Sequence, residues 1–154
     1  MGTRRVKGLK RSPMKRTGKT MKRNTPKRAK ADRAARRPRQ TFLEGWQVCW
    51  FCEAAPAECV HEMAAGSARK AAFQHRFAWA VACSDCNCHR LTDNGPRGEW
   101  PHARQLAVKW IWDREHFNRV EFNRLMRPKA AETFITMAEI IPHVCRLLDA
   151  PARF

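Results

Sequence analysis

The residues with the clearest chemical potential are the cysteines, of which four form two pairs with the same short spacing. Cys49 and Cys52 enclose Trp-Phe, and Cys83 and Cys86 enclose Ser-Asp. Two thiolates separated by two residues can bind one face of a metal ion, and a second pair completes the tetrahedral sulfur coordination that zinc favours. Because such a site has no open position, we predict a structural zinc ion whose binding contributes folding free energy.

Three further cysteines bring the total to seven. Cys59 and Cys88 lie close to the two pairs in sequence, and each is an alternative for one ligand position. Cys145 falls on the apolar stripe of a predicted helix, where we expect a core thiol. We expect no disulfides, because the count is odd and because neither a signal peptide nor a membrane span is evident, which predicts a soluble protein in a reducing cytoplasm.

Residues that can bind a cation or accept a proton lie between and directly after the cysteine pairs. His61 and Glu62 are adjacent, and Asn87 and His89 follow Cys86. Hydrolysis of a phosphodiester requires a cation that neutralises developing charge and a base close to the attacking water. Because the zinc site would hold the flanking segments together, we predict that these side chains gather in one site.

Basic residues suggest how a polyanion would be bound. Arg69, His75 and Arg76 lie between the cysteine pairs and are candidates to hold a phosphate. Residues 1–40 carry 17 Lys and Arg and one acid, whereas residues 41–154 carry 14 Lys and Arg and 13 acids. So basic a segment attracts nucleic acid through counterion release. Its few apolar residues predict that it is disordered alone.

The elements that must position these residues follow from the apolar pattern. Short apolar runs at 59–63 and 71–82 predict two strands, and a helix is expected from Cys83 through Arg90. Apolar residues at helical spacing predict a further helix around 106–111 and another that starts at Pro128. A short helix is also expected to lead into the first cysteine pair.

This order predicts a small, zinc-stabilised α+β domain with C-terminal helices. Its expected parts are a disordered, basic, DNA-binding arm at 1–40, a zinc-containing domain at 41–127 and a C-terminal helix at 128–154 that packs on that domain.

The combined motifs resemble the HNH endonucleases, and in particular small phage-encoded members with zinc knuckles. The resemblance covers about residues 40–125. It rests on the two C-x2-C pairs, Val60-His61-Glu62-Met63, Gly66-Ser67-Ala68-Arg69, Phe73, His75-Arg76, Trp79 and the stretch Arg104-Gln105-Leu106-Ala107-Val108-Lys109-Trp110. It implies a ββα-metal finger that cleaves DNA with a divalent cation such as Mg2+ or Mn2+. It also implies action in the cytoplasm of a bacterial host, with a second copy or the phage packaging or recombination machinery as partner.

The resemblance also assigns roles to single residues. It makes His61 a ligand of the catalytic cation and puts Glu62 where the family usually has its general base. A register one residue different would make His61 the base and Glu62 the ligand. Asn87 occupies the last motif position as a ligand, with His89 as the alternative. Because Ala78 stands where the family has its central Asn, the alternative function is a non-catalytic, zinc-dependent nucleic-acid-binding protein.

Overall fold

The computed structural model describes residues 26–64, 66–92, 98–126 and 134–149. Within these ranges it combines helices with a two-stranded sheet, as predicted for an α+β domain. The elements in chain order are α1 (Pro26–Glu44), β1 (Cys59–Glu62), α2 (Arg69–Ala72), β2 (Trp79–Ala82), a π-helical turn (Cys86–Arg90), α3 (His102–Trp112), α4 (Arg119–Met126) and α5 (Met137–Asp149). None of the described helices has the length and apolar character that crossing a membrane requires.

The two predicted strands pair in an antiparallel hairpin that joins Cys59 to Ala82 and Glu62 to Trp79. The second strand is shorter than the predicted segment 71–82, because α2 and a 3-10 turn occupy most of the residues before Trp79. The Trp79 indole nitrogen donates to the carbonyl of Ala72 at 2.9 Å, which ties α2 to the start of β2. All four residues of β2 are buried, so this strand forms the centre of the domain.

The first helix differs from the expectation of a disordered arm that extends to residue 40. α1 starts at Pro26, a residue suited to a first helical turn, and ends at Glu44 before the first cysteine pair. Its segment has few apolar residues, but Phe42 is buried against Trp50 and Trp79, with ring centroids 5.6 and 5.7 Å away. Docking on the core therefore supplies the stabilisation that residues 26–40 lack in isolation. The remaining arm residues, 1–25, lie outside the described part of the chain.

The C-terminal part also differs from the prediction in its boundaries. The predicted start at Pro128 lies outside the described residues, and α5 begins at Met137 and runs across Pro142. α5 packs against α3 and buries Ile140. Cys145 is exposed on α5, which corrects the expectation of a core thiol.

A buried ammonium joins α3 to the hairpin. The Lys109 ammonium is fully buried and donates to the carbonyls of Arg76 and Trp79, both at 2.9 Å, and to the Asp113 carboxylate at 2.6 Å. Burial lowers the pKa of Lys109 to about 8, although the contact with Asp113 opposes that shift. A buried ammonium is tolerated only where acceptors replace its water shell. Asp113 ends the same helix, so the two bonds to the carbonyls of Arg76 and Trp79 are the ones that fix how α3 docks on the hairpin.

We predict that Lys109→Met lowers the free energy of unfolding by about 3 kcal/mol, because two buried carbonyls lose this donor and Asp113 keeps only its contacts with Arg76 and His116 among the described residues. Urea unfolding of the zinc-loaded protein measures this change. Lys70→Met, at an exposed position on α2, is the control and should shift stability by less than about 0.5 kcal/mol. Equal effects of the two substitutions would contradict a structural role for the buried pair.

Candidate functional site

The four paired cysteines meet in one cluster. The sulfur atoms of Cys49, Cys52, Cys83 and Cys86 all lie within 4.8 Å of one another. The Sγ atoms of Cys52 and Cys83 are 3.9 Å apart. Zinc–sulfur bonds of about 2.3 Å in a tetrahedron separate the sulfurs by about 3.8 Å, so the cluster fits a structural zinc ion. The predicted grouping of these four cysteines is therefore confirmed, and the cluster could hold a metal such as zinc.

Each cysteine pair is shaped as a tight turn that directs both sulfurs inward. In the first, Glu53 has a left-handed backbone with φ 56°, and its amide donates to the Cys49 carbonyl at 2.9 Å. In the second, the Cys86 amide lies 3.5 Å from the Cys83 sulfur. Burial raises the pKa of the Cys52 thiol, but backbone and side-chain hydrogen bonds outweigh it and lower that pKa to about 7. Burial raises the pKa of the Cys49 and Cys86 thiols, so in the absence of a metal the thiolate is favoured at Cys52 and not at these two.

The other two cysteines near the pairs do not join the cluster. Cys59 donates its thiol hydrogen to the Ala82 carbonyl at 3.3 Å, and burial raises its pKa to about 11. Its sulfur is thus engaged with the backbone of the hairpin rather than with the other sulfurs. Cys88 is exposed. The two alternatives for a ligand position are thus outside the four-sulfur group that the described residues form.

Metal removal tests the cluster. We predict one zinc ion per chain in the purified protein, and loss of cooperative unfolding after exhaustive chelation, because structural zinc contributes about 10–16 kcal/mol of apparent binding free energy in small domains. Cys86→Ser should release the zinc, whereas Cys145→Ser, at an exposed position, should retain it. Metal content by atomic absorption and the charge-transfer bands of the cobalt form provide the readouts. Retention of zinc by Cys86→Ser would show that the ligand set is different.

A second polar group surrounds His61. Its ring is buried, with only 6% of the residue exposed, and both nitrogens face amide oxygens. Nδ1 lies 2.8 Å from Asn87 Oδ1, and Nε2 lies 3.1 Å from Gln105 Oε1. Phe51 packs edge-on against the imidazole with ring centroids 5.9 Å apart. Burial lowers the pKa of His61, although the bonds with Asn87 and Gln105 oppose that shift, so the ring is neutral at pH 7.

The cysteine cluster explains why His61 and Asn87 meet. Asn87 directly follows Cys86, and its amide donates to the Cys83 carbonyl at 3.0 Å. The Leu91 amide reaches the Cys86 carbonyl at 2.9 Å, which gives the wide π-helical turn. Turns of this type are common at functional sites, since they change the direction of a side chain within a helix. Here the turn directs Asn87 toward the buried side of β1.

Glu62 lies on a different side of the hairpin from its neighbour His61. Successive side chains of a strand alternate between faces, and the Glu62 carboxylate contacts two guanidinium groups. Arg39 of α1 donates to it and also to the Val60 carbonyl at 3.1 Å. Arg69 Nε is 3.5 Å from Glu62 Oε2. The structure therefore does not bring Glu62 to the nitrogen atoms of His61, and it connects Glu62 to α1 instead.

The remaining candidate residues are spread over the surface. His89 is exposed on the π-helical turn, and the ring nitrogens of His61 are engaged by other residues. His75 stacks on Phe77 with ring centroids 5.2 Å apart. Arg76 lies 3.4 Å from each carboxylate oxygen of Asp113, so its charge is paired within the fold. Of the three predicted phosphate-binding residues, Arg69 is the one whose side chain contacts a strand residue of the hairpin, Glu62.

Sequence reasoning assigned no role to Gln105 or Arg39. Gln105 is fully buried and lies on α3 one turn before Lys109. A neutral amide within an otherwise apolar helix face is the signal that could have identified it, because a buried amide requires hydrogen-bond partners. Arg39 is one of 17 Lys and Arg in residues 1–40, and its neighbours in sequence give no sign that it pairs with Glu62.

Comparison with known proteins identifies no family. No protein-family model matches the sequence, and no curated protein or solved structure is similar enough to count as a match. The HNH resemblance therefore rests on the sequence motifs alone.

Proposed function

We propose that this protein is a metal-dependent DNA endonuclease of the HNH type. The observation that carries the proposal is the 2.8 Å approach of His61 Nδ1 to Asn87 Oδ1 on elements held by the cysteine cluster. Mg2+ and related cations hold ligands at about 2.1 Å in octahedral geometry, which places neighbouring ligand atoms about 3.0 Å apart. The pair thus has the spacing of two adjacent ligands of one divalent cation.

The residues have distinct tasks in this proposal. A bound divalent cation would neutralise charge on the phosphate and lower the pKa of a bound water. His61 and Asn87 would hold that cation at the half-buried side of Asn87, with the Nδ1 lone pair as the contributing atom of His61. If His61 is instead the general base, the same lone pair would accept the proton of water. Both roles, cation ligand and base, therefore depend on Nδ1. Glu62, engaged by two guanidinium groups, is better suited to position Arg69 than to act as the base.

Basic residues of α1 support DNA as the substrate. The helix carries seven Lys and Arg against two acids, and those exposed to solvent are Lys27, Lys30, Arg33, Arg36 and Arg37. A cleft of about 380 Å³ runs between α1 and α2, lined by Arg28, Asp32, Arg36, Glu62, Arg69, Lys70 and Phe73. A phosphate backbone bound there would lie beside the end of β1. Such contacts predict weak sequence preference and binding that weakens steeply with salt.

The alternative is a non-catalytic zinc protein that binds nucleic acid. Two observations favour it: His61 is 94% buried, since only 6% of the residue is exposed, and Ala78, where the family has its central Asn, is fully buried. In this alternative the bonds of His61 would stabilise the fold alone. A binder would retain the salt-dependent affinity of α1 without cleavage. The partners implied by the resemblance, a second copy or phage machinery, would serve either function, although cutting both strands at once would require two sites.

Nicking of supercoiled plasmid with Mg2+ or Mn2+ separates the two functions. We predict that the wild-type chain nicks and that a chelator of the added cation stops it. His61→Ala should reduce the rate by about 10²-fold or more, because a ligand or a base is lost. His143→Ala on α5 is the matched control and should leave nicking unchanged.

Zinc content and DNA affinity should be equal in the three proteins, which ensures that a loss of nicking reflects chemistry. Absence of nicking under every divalent cation, with DNA binding intact, would overturn the endonuclease and leave the binding protein. Nicking by His61→Ala at the wild-type rate would remove His61 from the site.

A further inference from the structure

We infer that Gln105 is a positioning residue that fixes the tautomer of His61 and thereby directs its Nδ1 lone pair toward Asn87. The inference deepens the proposed function, since it names the atom of His61 that a cation would meet. The tautomer itself is a property of the chain alone and can be measured whether or not the protein cleaves DNA.

The orientation of the Gln105 amide is determined by Trp100. The Gln105 Nε2 group donates to the Trp100 carbonyl at 2.8 Å, and a carbonyl can only accept. Rotation of the amide by 180° would bring two oxygens together, so Oε1 must point away from Trp100. On that other side lies His61 Nε2 at 3.1 Å. Because Gln105 is fully buried, water cannot replace either bond.

A neutral imidazole carries one hydrogen, on either Nδ1 or Nε2. Since Gln105 Oε1 is an acceptor, the hydrogen belongs on Nε2. The opposite tautomer would direct a lone pair at a buried oxygen, which disfavours it by about tenfold or more. Nδ1 is therefore left with its lone pair, 2.8 Å from the oxygen of Asn87. Two acceptors at this distance are satisfied by a cation between them or by rotation of the Asn87 amide.

Trp100, which orients the Gln105 amide, is itself held by packing. Trp100 is buried, and its indole packs edge-on against Phe51 with ring centroids 5.1 Å apart. Phe51 in turn contacts His61, and it directly precedes the cluster residue Cys52. The carbonyl that orients Gln105 is thus connected to the same aromatic group that holds the imidazole ring. The stretch 104–110 contains two buried polar residues, Gln105 and Lys109. Gln105 orients His61, and Lys109 connects α3 to the hairpin.

Long-range 1H–15N correlation spectra of the full-length, zinc-loaded chain measure the tautomer directly, because the two ring nitrogens differ in shift when only one is protonated. His61→Ala identifies the His61 signals among those of the six histidines. We expect the Nε2–H form in the wild type without added cation. If the wild type instead carries the hydrogen on Nδ1, that spectrum alone overturns the inference.

Two variants separate the partners of His61. Gln105→Met removes the acceptor at similar volume and should abolish the single Nε2–H form. Asn87→Ala removes the other partner and should preserve it, because Gln105 remains. Val108→Ala, a neighbouring buried position on α3, controls for lost stability and should also preserve it. Retention of a pure Nε2–H form in Gln105→Met would contradict the inference.

Nicking rates then distinguish this inference from the proposed function. We expect Gln105→Met to nick at least about tenfold more slowly than Val108→Ala, because the lone pair is no longer held toward Asn87. An Nε2–H wild type that never nicks would support the inference and refute the endonuclease. Nicking that depends on His61, in a chain whose His61 carries its hydrogen on Nδ1, would support the endonuclease and refute the inference about Gln105.

Discussion

The group of four cysteine sulfurs is the constraint on which the rest of the structure depends. It joins the turn at 49–52, before the hairpin, to the turn at 83–86, after it. A two-stranded sheet alone is marginally stable in water, and this one has four residues per strand. The free energy of structural zinc binding, about 10–16 kcal/mol, is as large as the whole stability of a typical domain. A metal in the cluster would therefore determine whether β1 and the π-helical turn stay close enough for His61 to meet Asn87.

Helix α3 provides the second constraint, and it does so with polar residues. Gln105 and Lys109 are one turn apart and fully buried, and each contacts a strand of the hairpin: the amide lies against His61 of β1, and the ammonium donates to the Trp79 carbonyl of β2. An apolar helix face can shift along its contact surface at modest cost, whereas a buried amide or ammonium loses specific bonds. These two residues therefore fix the register of α3 relative to the hairpin, and the position of the His61 ring follows from it.

The sequence predicted those features that depend on local spacing. The cysteine cluster, the hairpin and the proximity of His61 to Asn87 all follow from two short motifs and the apolar runs between them. Helix α1 could not be predicted as ordered, because its docking depends on Arg39 reaching Glu62 and the Val60 carbonyl across a long sequence separation. The partners of Gln105 are likewise non-local. The separation of Glu62 from His61, in contrast, was available from strand alternation, which places neighbours on opposite faces.

That alternation gives the unusual His61-Glu62 pair a physical interpretation. One side chain faces the buried amides of Asn87 and Gln105, while the other faces the basic cleft beside α1. Of the two arginines on Glu62, Arg39 is 13% exposed in its side chain and bonded to the Val60 carbonyl as well, whereas Arg69 is 62% exposed. In the proposed function, a DNA phosphate in the cleft would compete with Glu62 for Arg69 and leave Arg39 in place. Glu62 would then keep α1 attached to the hairpin while Arg69 is free to hold the substrate, so the residue that departs from the usual motif would connect DNA binding to the position of β1.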